Sequence, residues 1–168
     1  MRVGGAYAQG AFDIVLSRAV LEHVYDIDTA MQTMDFLLKP GGYMIHDIDF
    51  RDHGIFTTYG FSPLEFLTVS DWARMRASSG TGAPNGRLAD YYRKTFEVLG
   101  YDARILFLHV FGNDQKSHKE RIESGVDYGN DQLRLISRIR PRLLPGFRQL
   151  PVEDQLVSGA FICARKSP

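Results

Sequence analysis

Two short apolar runs separated by a segment of helical period constrain this sequence most. Phe12-Asp13-Ile14-Val15-Leu16-Ser17 is rich in strand formers and reads as a buried strand of the parallel type. Val20, Val24, Ile27, Met31, Met34 and Leu38 then recur at steps of three and four, which makes one apolar face. Asp26 and Asp28 interrupt that face and are good N-caps. The pattern therefore predicts a short helix near 19–24 and a longer one near 28–38. Lys39-Pro40-Gly41-Gly42 stops the longer helix, because Pro and Gly end helices. Tyr43-Met44-Ile45-His46-Asp47-Ile48-Asp49 reads as a second strand. Strand, helix, turn and strand form a βαβ unit with parallel strands and a right-handed crossover.

The pattern weakens beyond Phe50. Pro63 to Leu67 and Trp72 to Met75 suggest short helices, and Ser78 to Gly86 is a loop by composition. Arg87 to Leu99 is a predicted helix ended by Gly100, and Ala103 to Phe111 is an apolar strand. Residues 112–131 are polar and read as a loop or lid. A helix is expected over Leu133 to Ile139, broken by Pro141, with a last strand over Leu156 to Ala164. Segments 103–111 and 156–164 are suited to pair as an antiparallel edge. The expectation is one three-layer α/β domain over residues 1–168 with about four strands.

Composition narrows the class. A net charge of zero gives no support for general nucleic-acid binding. The lack of an apolar run of about 18 residues argues against a membrane span. One cysteine, Cys163, precludes an intrachain disulfide and, with no signal-peptide pattern, points to a reducing, cytoplasmic setting. Charge is uneven: residues 1–60 hold 4 basic and 8 acidic side chains. Arg134, Arg138, Arg140, Arg142 and Arg148 crowd one stretch without an acid between Asp131 and Glu153. That stretch is either a solvated face or a site for an anionic group.

Neither glycine-rich segment is a cofactor fingerprint. Gly80 to Gly86 follows no strand and contains Pro84, and Gly4 to Gly10 lacks the Lys-Ser/Thr of a phosphate loop. Chemistry-bearing side chains gather instead after the two strands, where open α/β sheets bind ligands. The first ends at Ser17-Arg18 and is followed by Glu22-His23; the second ends at His46-Asp47-Ile48-Asp49 and is followed by Arg51, Asp52 and His53. Alternation sends His46 and Ile48 to one face and Asp47 and Asp49 to the other. Imidazole titrates near neutrality, so His23 and His53 are candidate general bases. The plainer readings are a His23 that packs on its own turn and an Asp49–His53 segment that caps a turn. A metal-dependent hydrolase built on His46, Asp49, Asp52 and His53 is disfavoured by that alternation and by the lack of a His-x-x-x-His pair. No metal is expected.

The run from Phe12 to Ser17, then Val20-Leu21-Glu22-His23-Val24, then Leu37-Leu38-Lys39-Pro40-Gly41-Gly42 resembles the middle of a class I S-adenosylmethionine-dependent methyltransferase. His46-Asp47-Ile48-Asp49-Phe50-Arg51-Asp52-His53 is similar to a subgroup in which a Trp and an Asn-Arg-Leu-like segment follow. Trp72 and Asn85-Gly86-Arg87-Leu88 are the counterparts here. The last two strands are similar to that family's closing antiparallel pair.

The resemblance implies a Rossmann-like methyltransferase fold and S-adenosylmethionine as methyl donor. The family's glycine-rich cofactor motif and ribose-binding acid belong upstream of Phe12, where only 11 residues stand. An N-terminally truncated domain with impaired activity is therefore expected, and a non-catalytic interaction or regulatory module is the alternative. By the resemblance, Ser17, Arg18, Ala19 and Glu22 bind cofactor; His23, His53 and Asp49 are catalytic; Arg51 and Asp52 face a small-molecule or saccharide acceptor. An unpaired strand 12–17 invites self-association.

Overall fold

A computed structural model describes residues 8–77, 82–111 and 129–168. The elements are β1 (Phe12–Arg18), α1 (Ile27–Leu37), β2 (Leu38–Asp49), α2 (Asp71–Ala77), α3 (Ala89–Val98), β3 (Tyr101–Val110), α4 (Asn130–Ile139), α5 (Pro145–Arg148), α6 (Val152–Leu156) and β4 (Val157–Lys166). The four strands form one sheet in the order β1-β2-β4-β3. β1 runs parallel to β2, while β4 is antiparallel to both β2 and β3. The predicted βαβ unit and the closing antiparallel pair are both present.

Hydrophobic period explains where the core lies. Met44 and Ile48 of β2 are buried on one face, and the fully buried His46 sits between them. β4 is central and buries Val157, Ala160, Ile162 and Ala164. α1 contributes Ile27 and Met31, and α3 contributes Ala89, Tyr92 and Phe96. Asp26 caps α1 by accepting a hydrogen bond from the Thr29 amide at 3.3 Å. Gly100, with φ +75°, ends α3 as its sequence position predicts.

Several expected boundaries move. The predicted helix near 19–24 is a single 3-10 turn, Leu21–His23, and α1 begins at Ile27. Lys39-Pro40-Gly41-Gly42 ends α1 but is not a turn outside the sheet. It is an irregular start to β2, where the register jumps from Phe12↔Leu38 to Ile14↔Tyr43. Gly42 is required there, since a Cβ would lie 2.8 Å from the Asp13 carbonyl oxygen. β3 and β4 are each displaced by one or two residues from their predicted spans. Residues 78–81 of the predicted loop and 112–128 of the predicted lid lie outside the described residues; 130 and 131 already belong to α4.

β1 stands at the edge, as the unpaired strand implied by the resemblance requires. Its apolar run taken alone reads as buried, yet Leu16 is 73% exposed and Ile14 52%. The cause is its place at one edge of the sheet, with β2 its sole strand neighbour among the described residues. Among those same residues no helix is long and apolar enough to cross a membrane.

Candidate functional site

β1 and β2 are parallel, so their carboxyl ends lie side by side. β1 leaves the sheet through Ala19, whose φ of +50° is left-handed. The Ala19 amide donates to the Asp47 carbonyl at 2.9 Å, and Arg18 Nε lies 3.5 Å from Asp47 Oδ2. Ser17 points inward: its Oγ shares a 2.8 Å hydrogen bond with His46 Nδ1. Burial pushes the His46 imidazole down to about 4, so the ring is neutral.

The 3-10 turn after Ala19 carries Glu22 and His23. Asn85 holds this turn from the loop before α3. Its Nδ2 donates to the Leu21 and Val24 carbonyls, both at 2.8 Å, and its backbone amide donates to the Glu22 carbonyl at 2.6 Å. The turn buries Glu22 to 1% exposure, and neither carboxylate oxygen has a hydrogen-bond partner. Burial, with a small contribution from the Asp49 charge, raises the Glu22 carboxyl above its ordinary range; the amides of Glu22 and Asp49 lie near enough to oppose this, as does His23, but neither amide meets the geometry of a hydrogen bond. His23 Nδ1 is likewise buried and unpartnered.

The turn after β2 is built by Asp52. Its Oδ1 accepts from the Gly54 amide at 3.1 Å and from Thr57 Oγ1 at 2.9 Å. Its Oδ2 accepts from the Phe56 amide at 2.7 Å and the Thr57 amide at 2.8 Å. The turn forces His53 to φ +51°, a conformation that costs a non-glycine residue on the order of 1 kcal/mol. It also swings the His53 ring onto His23, with centroids 4.9 Å apart in an edge-on arrangement. His53 Nε2 stands 3.5 Å from Asp49 Oδ2, and Arg51 Nε donates to Asp49 Oδ1 at 2.8 Å. Burial pushes the Asp49 carboxyl up, but the hydrogen bonds and charge of Arg51, with His53, outweigh it and hold it below its ordinary range.

Ligand atoms of Glu22, His23 and His53 all lie within 4.8 Å of one another. Asp49, Arg51, Asp52 and His53 line an adjoining cavity of about 910 Å³, whose far wall includes Arg134 and Arg138 of α4.

The structure thus gathers Glu22, His23, His53 and Asp49, with Arg51 bound to Asp49. Arg18 and Ala19 stand at the sheet edge. Ser17 is engaged with His46, and Glu22 is turned toward the histidines. Asp52 spends its oxygens on its own turn, the capping role that the plainer reading gave to this segment. Asn85 was visible only as part of the Asn-Gly-Arg-Leu resemblance, with no role attached. The basic stretch divides: Arg134 and Arg138 face the cavity, whereas Arg142 pairs with the buried Glu65 and Arg140 and Arg148 donate to backbone carbonyls.

Comparison with known proteins gives these residues a family. A model of the methyltransferase domain matches residues 2–99, more than half of the chain, and the chain belongs to that family. Among solved structures it is similar to phosphoethanolamine N-methyltransferase 2 of Haemonchus contortus. That enzyme was determined with phosphomonomethylethanolamine and S-adenosylhomocysteine, and separately with S-adenosyl-L-methionine. In both cases identity is 14% and the TM-score 0.50, over 97% of this chain and 35% of that one. An S-adenosylmethionine-dependent methyltransferase from Mesorhizobium loti aligns at 15% identity and TM-score 0.45, over 95% of this chain and 64% of that one. The chain therefore spans about a third of the Haemonchus structures' length. Comparison with curated proteins gives no match. The fold is the Rossmann-like α/β fold of methyltransferases.

Proposed function

We propose that this chain takes part in S-adenosylmethionine-dependent methyl transfer to a small-molecule or saccharide acceptor. One observation carries the reading: in a chain of this family, Glu22, His23, His53 and Asp49 converge where β1 and β2 end. The residues at the edge fit the donor. Arg18 is exposed beside the left-handed Ala19 and pairs with Asp47 only at 3.5 Å in solvent, so its guanidinium can exchange that partner for a carboxylate such as that of a methionine moiety. Glu22, buried behind them with no hydrogen-bond partner, suits a cationic neighbour. S-adenosylmethionine, when bound, supplies a methyl group on a sulfonium centre.

The chain's own residues position and activate the acceptor. His23 and His53 present their rings to its O–H or N–H group. Asp49, fixed by Arg51, stands 3.5 Å from His53 Nε2 and orients the ring, and Asp52 is a positioning residue that aims His53 through its turn. The cavity beyond His53 gives the acceptor room. The exposed edge of β1 supports self-association as a companion property, since an unpaired edge is a template for another strand.

Calorimetric titration with S-adenosylhomocysteine tests the reading. Micromolar binding, weakened in Arg18→Ala, is expected. A folded chain that binds none at millimolar ligand rejects donor binding by this chain alone. It would favour a non-catalytic module, for which sedimentation should then show a concentration-dependent dimer.

A further inference from the structure

We propose that Glu22, His23 and His53 form a binding site for a divalent first-row transition-metal ion. The inference rests on the acceptor being seated at this cluster and refines how the cluster acts: the imidazoles work on the acceptor through an ion rather than directly.

Three observations converge. The first is the donor set. Two imidazoles and one carboxylate form a facial set used by zinc and by other first-row ions, with positions left open for a substrate. The second is spacing. The donor atoms lie within 4.8 Å of one another, against the roughly 3.3–3.6 Å between ligands that bonds of 2.0–2.2 Å impose around a tetrahedral ion. Small side-chain rotations close that gap. The third is Glu22 itself. A carboxylate exposed to 1%, with both oxygens unpartnered, is an unfavourable feature of a folded chain unless a cation or a proton meets it. His23 Nδ1 is unpartnered beside it.

The surroundings suit an ion. Asp49 lies behind His53, at 3.5 Å from Nε2, as carboxylates commonly stand behind a ligating histidine to fix its ring. Asp52 and Asn85 hold the two turns that carry the ligands. His53 lines the cavity, which provides an entry path for an ion. A hydroxyl oxygen of the acceptor held there would be polarised with no change in the ion's oxidation state.

The test is calorimetry of the full chain, stripped of metal by chelation, against zinc chloride, manganese chloride and magnesium chloride. One zinc per chain is expected, with little affinity for magnesium. Glu22→Gln and His53→Ala should each weaken zinc binding at least tenfold with the circular dichroism unchanged. Cys163→Ser should leave it intact and so exclude the thiol as the source. No zinc binding, or binding indifferent to both cluster variants, overturns the site and indicates a Glu22 held protonated. S-adenosylhomocysteine binding by the metal-free protein is a separate readout. Its absence would reject the methyl-transfer reading and leave the metal result standing, and the converse also holds.

Discussion

The turn after β1 and the turn after β2 each bury a carboxylate at the same end of the sheet, and they treat it in opposite ways. Asp52 is 4% exposed and its oxygens accept four hydrogen bonds from its own turn. Glu22 is as deeply buried and accepts none. The first arrangement stabilises a conformation. The second costs stability and leaves a charge-bearing group poised for something outside the chain. His46 lies between these extremes, with Nδ1 bonded to Ser17 and Nε2 unpartnered. Satisfaction, more than burial or residue type, separates architecture from chemistry here.

The largest test of that contrast is Asp52→Ala. Removing a charged acceptor from four donors should cost about 3–5 kcal/mol, lowering the melting temperature by roughly 10 °C. A loss below about 1 kcal/mol would erase the distinction between the two turns.

Next comes acid. His46 titrates at about 4 in the folded chain against an ordinary 6.5, so the unfolded chain takes up the proton first. Stability contributed by the neutral ring is complete above 6.5 and declines as pH falls toward about 4, by roughly 3 kcal/mol in all. Urea denaturation at a series of pH values reads this directly, and His46→Gln should flatten that part of the profile.

Glu22→Gln should have the opposite sign to Asp52→Ala. Without metal at neutral pH, a neutral amide relieves the buried charge and raises stability by on the order of 1–2 kcal/mol. Destabilisation of that size would show that Glu22 is satisfied after all. The smallest effect is expected from Arg51→Ala. Arg51 is half exposed, so stability should change by less than about 1 kcal/mol. The Asp49 carboxyl should nevertheless titrate higher once the guanidinium is gone, as carboxyl NMR can show; an unmoved Asp49 would mean that Arg51 does not hold it.

Much of the frame was legible because it follows from local period. The apolar run of β1, the three-and-four spacing of α1, and the apolar β3 and β4 appear where the residues place them. The exposure of β1 was not legible locally, because an edge position depends on neighbours rather than on a strand's own side chains. The failed helix near 19–24 has a similar cause. Carbonyls of Leu21, Glu22 and Val24 that a helix would use are taken by Asn85, more than 60 residues away. Site residues Glu22, His23, Asp49 and His53 were nominated from position at strand ends. Their convergence depends on two turns whose geometry no periodicity reveals. Asp52 drew notice as a binding residue because an Asp beside a His reads equally well as chemistry or as a cap, and only its four donors distinguish the two.

The clamp by Asn85 also sets an order of events during folding. Its bonds to Leu21 and Val24 close loops of 64 and 61 residues. Such closures carry an entropic cost before the contacts they permit can form. β1, α1 and β2 are contiguous and can associate while the Glu22 side chain is still hydrated. The 3-10 turn that carries Glu22 is fixed only when Asn85 docks on its carbonyls. In a refolding experiment the sheet signal should therefore recover ahead of the pocket, and a ligand that neutralises Glu22 should slow reopening of the docked segment more than it speeds formation of the sheet.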